Sequence, residues 1–415
     1  MNRTFIALAM VSGCLQAAEP QVVDAGFLAR MRAEAVRHHP AVASAGLRAT
    51  AAGQDVGTVR LWDDPMAGLS LMAAPREMRR DDGDVLVGIE QPLPKPGLYA
   101  AKRSKAEAMQ RSEVEKFHGS ALEIGAEAAR LAIELALADE AIEVQAQQLS
   151  WLGEMAENAR QRALDPAATS VDALRLESEL ASERQMLAGA KRTREGLGAR
   201  LNLVLGRALE SPWPPLALPD HPPPVPVASA EIARIARANP QVRAMREMTA
   251  AANAETRIAD RERLPSVAVG IESAMYSGGD YRSTTVGVKL NLPWFNDRSY
   301  RAAIDAAKTR EKAAEKDVAS MQLEIAGKVQ AAVTEAATAA AQARAHIDEI
   351  HPKIQQTSDA AQAAWINSKS MLTDLLDSHR MLLASHLEER RLIALQLAAL
   401  EELNLLVPAR TPAKP

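Results

Sequence analysis

The sequence predicts a mainly α-helical protein that also carries four β-strands, with long helices paired as antiparallel coiled coils. Three observations lead to this class. Two stretches far longer than ordinary helices contain no proline, two pairs of short segments alternate apolar with polar residues, and the whole pattern occurs twice. Aromatic residues make up only 3% of the 415 residues, and such a composition is typical of long helices that pack closely.

The pattern repeats at a spacing of roughly 200 residues, as an internal duplication does. Five landmarks occur in the same order in both copies: His39-Pro40 with Asn239-Pro240, Pro65 with Pro265, Val87-Gly88-Ile89 with Val286-Gly287-Val288, Pro94 with Pro293, and Ser170–Leu174 with Leu372–Leu376. We therefore expect a first repeat at 19–211, a Pro-rich linker at 212–228, a second repeat at 229–407 and a disordered tail at 408–415.

Each repeat contains one predicted pair of strands, at 66–74 and 84–93 in the first and at 266–276 and 283–292 in the second. These lengths approach the ~9 to 11 residues that cross a bilayer at a tilt. One face of each strand is apolar and the other is small or polar. On the polar face, which we expect to line a barrel lumen, lie Glu90, Glu272, Lys289 and Asn291.

The predicted strands are too few to close a barrel within one chain. A barrel needs about eight strands, and an open sheet edge cannot face lipid because its backbone hydrogen-bond donors would be unsatisfied. Two copies would supply eight strands, too few for an open lumen, whereas three copies would supply twelve. No segment after the N-terminus has the ~20 apolar residues of a transmembrane helix, so a membrane-spanning part would consist of strands. We expect a homotrimer with a transmembrane barrel.

The helical hairpins are predicted at 98–207 and 298–406. A continuous helix of about 65 residues is ~100 Å long, and the apolar residues Ile124, Ala128, Leu131 and Leu135 follow a heptad-like spacing. On the helices alone, an ordinary antiparallel coiled coil, as in a soluble periplasmic adaptor or scaffold protein, is an equal interpretation. The strands favour the barrel.

The N-terminal segment 1–18 predicts a signal peptide, with Arg3 before a short apolar run. Cys14 ends the tetrapeptide Val-Ser-Gly-Cys, which resembles a lipoprotein processing box, so cleavage before Cys14 and lipidation of its thiol is one alternative. Cleavage near Ala17 or Ala18, which would remove the cysteine, is the other.

Several functions are disfavoured by the sequence. The net charge of −4, with basic and acidic residues interspersed, argues against nucleic acid as a partner. No nucleophile motif or phosphate-binding loop indicates an enzyme or a cofactor. The histidines His346, His351, His379 and His386 show no metal-ligand spacing, and we interpret them as surface or helix-packing residues.

The duplicated, proline-flanked strand pairs, the segment Leu201–Gly206 and the segment Trp365–Asp377 together resemble the TolC family of outer-membrane efflux proteins. This resemblance implies a homotrimer with a twelve-stranded barrel in outer-membrane lipid and a helical barrel through the periplasm. It also implies passive transport, with a periplasmic membrane-fusion adaptor and an inner-membrane pump of the RND type as partners. Pro92–Gly97 and Leu292–Asn296 look most like the branch that exports heavy-metal cations.

The resemblance also implies a gate at the periplasmic end. The acidic positions that form rings there in the family match Asp374 and Asp377, although Asp374 could instead cap the returning helix. Polar links between the two hairpins hold the family's closed state. We therefore hypothesise that the indole N–H of Trp365 donates to Asp172.

Overall fold

The computed structural model describes residues 20–71, 85–164, 171–225, 231–276, 280–367 and 369–406. In chain order its elements are β1 (Gln21–Val22), α1 (Ala25–His38), α2 (Pro40–Thr58), β2 (Met66–Leu71), β3 (Val85–Pro92), α3 (Leu98–Arg162), α4 (Val171–Leu205), β4 (Leu216–Ala217), α5 (Ile232–Ala238), α6 (Pro240–Glu262), β5 (Ser266–Met275), β6 (Tyr281–Asn291), a 3-10 turn (Pro293–Asn296), α7 (Asp297–Ala345), a π-helical turn (His346–Ile350), α8 (His351–Ile366) and α9 (Leu372–Leu406).

The predicted fold class is confirmed, because long helices dominate and the four expected strands form one antiparallel sheet in the order β2-β3-β5-β6. The hairpin β2–β3 comes from the first repeat and β5–β6 from the second, and the pairing of β3 with β5 joins them. The sequence did not predict the short parallel pair of β1 with β4. Two residues are too few for a recognisable alternation.

The strand boundaries differ from the predictions by a few positions. β3 and β5 fall inside the predicted ranges 84–93 and 266–276, and β6 begins at Tyr281, slightly earlier than the predicted range 283–292. The end of the first predicted strand, beyond Leu71, lies outside the described residues. The same is true of the signal peptide with Cys14, part of the linker, and the C-terminal tail.

Corresponding elements of the two repeats start and end at a nearly constant spacing in the sequence. The equivalent positions are Pro40 and Pro240 at the starts of α2 and α6, Met66 and Ser266 at the starts of β2 and β5, Pro92 and Asn291 at the ends of β3 and β6, and Leu98 and Asp297 at the starts of α3 and α7. Each residue of one repeat around the sheet therefore has a definite counterpart in the other repeat.

The duplicated helices α2 and α6 also begin in the same way. Each starts at a proline that follows a side-chain cap. His39 Nδ1 accepts from Ala41 N at 3.2 Å, and Asn239 Oδ1 accepts from Gln241 N at 2.8 Å. Proline suits the first helical position, because its missing N–H would have no partner within the helix there.

The second long helical stretch is not regular throughout. The π-helical turn His346–Ile350 separates α7 from α8, and Pro352 is the second residue of α8. Proline has no backbone N–H and its ring clashes with the carbonyl four residues earlier, here that of Asp348. A π turn removes this conflict by shifting the hydrogen-bond pattern. The predicted hairpin 298–406 therefore has a local irregularity in its outgoing arm.

The segment that ends the first hairpin is held by a buried asparagine. Gly206 adopts a positive φ of 70°, which suits a helix C-terminus, and Arg207 N donates to Asn202 O at 2.8 Å. The Asn202 amide donates to the carbonyls of Leu209 and Ser211, and its oxygen accepts from the Trp213 indole at 2.9 Å.

The chain divides into two compact units, each made of three stretches. One consists of Met1–Ala35, Gly125–Val225 and Val333–Glu401, and the other of Val36–Ile124, Pro226–Ala332 and Glu402–Pro415. The four-stranded sheet belongs to the second unit, and the ends of the helical hairpins belong to the first. Among the described residues, no helix has the length and apolar character needed to cross a membrane.

Candidate functional sites

One face of the four-stranded sheet carries large apolar side chains that are exposed in the chain. The register places cross-strand partners such as Ile89, Ile271 and Val286 on the same face. The apolar residues of this face are 36% to 73% exposed, and they are Leu69, Leu71, Val87, Ile89, Val269, Ile271, Val286, Val288 and Leu290. A continuous exposed apolar surface of this kind marks contact with a membrane or a partner.

The opposite face carries all four residues predicted to line a lumen. Glu90 lies opposite Gly270, Lys289 opposite Ala268 and Asn291 opposite Ser266, while Glu272 follows Gly270 on the same face of β5. The Lys289 ammonium forms an ion pair with Glu90. The structure thus brings these charges together on one side of the sheet.

The two strands at the middle of the sheet share the tetrapeptide Val-Gly-Ile-Glu, at Val87–Glu90 and at Val269–Glu272. They pair antiparallel about Ile89 and Ile271, so each glutamate lies opposite the other strand's glycine. A Cβ at Gly88 would lie 3.3 Å from the carbonyl oxygen of Ile271, and a Cβ at Gly270 would lie 3.3 Å from the carbonyl oxygen of Ile89. The glycines therefore allow the close approach of these two strands.

Both outer strands of this sheet have one edge with no strand beside it among the described residues, because β2 pairs only with β3 and β6 only with β5. β6 is 11 residues long and exposed along its whole length. Long, exposed edge strands present unpaired backbone donors and acceptors and are templates for pairing with another chain.

A buried cluster lies where α3, α4, α8 and α9 end or begin. Its members are Leu152, Met155, Ala156, Ala159, Ala173, Leu176, Trp365, Leu372, Leu375 and Leu376. Trp365 is 2% exposed, and the guanidinium of Arg162 lies 4.4 Å from the centre of its ring. The cluster fixes the ends of the two hairpins to each other through apolar contact.

Arg162 is the polar link at this cluster. Its guanidinium donates to the carbonyl oxygens of Trp365 at 3.1 Å and Ile366 at 2.6 Å, at the C-terminus of α8. A positive charge there is favourable because the last carbonyls of a helix carry partial negative charge. No hydrogen bond between Trp365 and Asp172, both described, is present, so the predicted interaction is replaced by this one. Sequence reasoning missed Arg162, although its position in the last turn of α3 was a usable signal.

The two predicted gate carboxylates are exposed in the first turns of α9. Asp374 Oδ2 accepts a hydrogen bond of 3.4 Å from Met371 N, the reach-back contact of a helix cap. The carboxylate of Asp377 lies 3.5 Å from Arg380, which also donates to Glu179 of α4 at 2.6 Å. The capping alternative for Asp374 therefore has structural support. The ring of carboxylates needs other copies of the chain and stays a prediction.

His379 stacks on Trp151, with ring centres 3.6 Å apart and planes 6° from parallel. This contact joins α9 to α3, and the Trp151 indole also donates to Gln362 of α8 at 3.3 Å. Burial lowers the pKa of His379 to about 4. Among the described residues, no group of three or more His, Cys, Asp or Glu side chains is placed to hold a metal ion.

Comparison with known proteins identifies the family of the second repeat. Residues 232–407, most of the second repeat, match the profile of the outer membrane efflux protein family. The second repeat is therefore a domain of the outer membrane efflux protein family. No curated protein matches the sequence of this chain significantly.

Solved structures share the fold of this chain over nearly all of its length. The outer-membrane channel OprN superimposes with a TM-score of 0.78 at 17% identity, over 92% of this chain and 90% of that one. VceC of Vibrio cholerae gives 0.76 at 17% identity over 92% and 96%, and CusC gives 0.77 at 15% identity over 92% of each chain. At such low identity the similarity shows the fold alone.

An added charge is predicted to have a much larger effect on one face of β6 than on the other. An arginine on the lipid-facing side of a transmembrane barrel costs about 2 to 4 kcal/mol near the bilayer midplane. We expect Val286→Arg to reduce the amount of detergent-extracted oligomer in outer membranes strongly, and Thr285→Arg, the adjacent position on the polar face, to reduce it little. Equal yields of the two variants would contradict the assignment of the faces.

The stacked histidine predicts a loss of stability in acid. The pKa of His379 is about 4 in the folded chain and ~6.5 when unfolded, so the unfolded chain binds more protons between these values. Stability is full above pH ~6.5 and falls as the pH is lowered towards 4. We expect thermal melts in detergent to shift down over this window, and to shift less in His379→Asn. The exposed His38→Asn is the control, and an unchanged pH response in His379→Asn would refute the prediction.

Proposed function

We propose that this protein is the outer-membrane exit duct of a tripartite efflux system. Three copies form one channel, which receives substrate from an inner-membrane pump through a periplasmic membrane-fusion adaptor and releases it outside the cell. The observation that carries the proposal is a sheet with one exposed apolar face, one charged face and two edges that have no partner strand among the described residues.

The sheet can reside in a membrane only as part of a closed barrel. Lipid offers no hydrogen-bond partners, so the edges of β2 and β6 must pair. Four strands cannot curl into a barrel that is wide enough, and pairing β6 of one copy with β2 of the next satisfies both edges. Three copies give twelve strands, and barrels larger than about eight strands have room for an aqueous channel.

The charged face would then line the channel in the membrane. Glu90, Glu272 and Lys289 give one net negative charge per chain, because the single lysine offsets one of two glutamates. Such a lining favours cations over anions without forming a binding site. This fits a duct that passes varied cargo, whose selection rests with the pump.

The helices supply the periplasmic part of the duct. α3 alone has 65 residues, which corresponds to a length of ~98 Å. Apolar residues on more than one side of the helix, such as the buried Leu131, Ile133 and Leu135, allow each helix to have two neighbours, as a cylinder wall requires. We place the adaptor on the outside of this wall.

The ends of the helical hairpins would form the gate. The exposed carboxylates of Asp374 and Asp377 project from α9 near the turn between α8 and α9, and three copies would place six carboxylates around one opening. Arg162 and the ion pair of Arg380 with Glu179 hold the two hairpins of one chain together. Opening then consists of a small rotation of hairpins against each other, driven by the adaptor.

Export of heavy-metal cations stays a prediction from the sequence. OprN, VceC and CusC resemble this chain to almost the same degree, so the fold does not select a cargo. The other function considered, a soluble periplasmic adaptor or scaffold, conflicts with the exposed apolar face of the sheet. Membrane fractionation separates the two, since an adaptor would be released by urea and a barrel requires detergent.

The proposed carboxylate ring predicts block by multivalent cations. Negatively charged clefts raise the local concentration of counter-ions by about 10-fold or more. We expect the double variant Asp374→Asn, Asp377→Asn to require roughly tenfold more of a trivalent cation for half-block of single channels in a planar bilayer. Asp359→Asn, an exposed aspartate earlier in α8, is the matched control. Unchanged block in the double variant would refute the ring.

Arg162 is predicted to hold the channel closed. Arg162→Gln removes the charge that binds the C-terminal carbonyls of α8, so the two hairpin ends separate more easily and the single-channel conductance should rise. Arg160→Gln is the control, because Arg160 pairs with Glu177 inside the first hairpin at 2.8 Å. If both variants change the conductance equally, Arg162 has no special part in closure.

A further inference from the structure

Three exposed aromatic residues lie at one end of the sheet, and all of them flank its two outer strands. Trp62, 51% exposed, precedes β2, and Trp294 and Phe295, 66% and 89% exposed, follow β6. In this antiparallel sheet the start of β2 and the end of β6 are at the same end. Aromatic residues are scarce in this chain, so their exposure at the two unpaired edges requires an explanation.

The internal duplication provides a template for what covers these residues. β2 of the first repeat corresponds to β5 of the second, and β3 corresponds to β6. Pairing β6 with β2 of another copy therefore repeats, between chains, the pairing of β3 with β5 that exists within the chain. This step rests on the proposed trimeric barrel.

The template fixes a register for the junction between copies. Inside the chain, Glu90 of β3 pairs with Gly270 of β5. The counterpart of Glu90 in β6 is Lys289, and the counterpart of Gly270 in β2 is Ser70. The template therefore places Lys289 opposite Ser70 of the next copy, and both of these residues lie on the charged face of their strands.

The next pair along the strands agrees with this register. Inside the chain, Gln91 pairs with Val269, and the counterparts of these two residues are Leu290 and Leu69. Leu290 and Leu69 both lie on the apolar face, so the junction keeps each face uniform. A slip by a single position would mix the faces, so this agreement excludes slips by an odd number of positions.

Beyond the strands, the same template brings the aromatic residues together. Within the chain, Lys95 Nζ donates to Glu262 O at 2.8 Å. Lys95 directly follows Pro94, and Pro94 corresponds to Pro293 in the second repeat. The counterpart of Lys95 is therefore Trp294. The counterpart of Glu262, at the same distance before the proline that precedes the strand, is Trp62.

We propose that Trp294 and Phe295 of one copy pack against Leu61 and Trp62 of the next, at each junction of the trimer. The pairing of the strands already holds these segments side by side. Inside the chain, the backbone pairing continues past the end of β3, since Leu93 N donates to Val267 O at 2.8 Å. An equivalent continuation at the outer junction would bring the aromatic residues into contact.

The differences between the two repeats support this contact. α6 continues to Glu262, whose carbonyl accepts from Lys95, whereas α2 already ends at Thr58. The segment 59–65 takes the place of the missing helical turn and exposes Leu61 and Trp62. The junction of β3 with β5 thus has the polar pair Lys95 and Glu262, and the proposed junction between copies has the aromatic pair Trp294 and Trp62 at the corresponding positions. Aromatic residues that bury one another in this way are frequent anchors of protein interfaces.

Cysteine cross-linking tests the contact in the full-length protein in outer membranes. We expect the double variant Trp62→Cys, Trp294→Cys to give covalent dimers and trimers with a short bifunctional thiol reagent. Each single variant should give no more covalent dimer than the chain without these substitutions. The equivalent internal pair, Lys95→Cys with Glu262→Cys, is the matched control and should react without joining chains.

A second pair separates failure of this contact from failure of the barrel. Leu69→Cys with Leu290→Cys reports the pairing of β6 with β2 directly. If this strand pair joins chains and the tryptophan pair does not, the aromatic contact is wrong and the barrel stands. In that case, quenching of Trp294 fluorescence by brominated phospholipid would place Trp294 in lipid. If neither pair joins chains, both the contact and the proposed duct are overturned.

Discussion

In the part of the chain that the structure describes, the outer edges of β2 and β6 pair with no strand, and this constrains the rest of the protein. In lipid, each unsatisfied N–H or C=O group costs several kcal/mol, and no rearrangement within one chain can pair both edges of a four-stranded sheet. Assembly with further copies is then a condition for residence in the membrane. The same constraint explains the alternation of the strands, since a closed barrel has one face in lipid and one in water.

Duplication reduces the number of different contacts that such an assembly needs. In the proposed trimer, one kind of junction, the pairing of a returning strand with an outgoing strand, occurs once inside each chain and once between chains. The internal junction uses a lysine and a helix carbonyl, whereas the proposed outer junction has tryptophans at the corresponding positions. A more apolar contact is appropriate where two separate chains must associate, because burial of apolar area drives association.

Much of the fold could be predicted from the sequence, and most contacts of the candidate gate could not. Strands of 8 to 11 residues with a period of two and flanking prolines are strong local signals, and the duplication confirms each of them by its counterpart. The contact of Arg162 with the end of α8 depends on how two helices from different repeats are rotated, which no local pattern encodes. The π turn had a visible cause in Pro352, but its exact position depends on the hydrogen bonds of the turn before it.

The most direct test of the account is the mass of the purified mature protein, measured by native mass spectrometry after extraction from outer membranes in detergent. A trimeric membrane barrel predicts particles of three chains that leave solution when detergent is withdrawn. A monomer that stays dissolved in aqueous buffer without detergent would contradict it, because its exposed apolar face and unpaired strand edges would then need neither lipid nor a second copy.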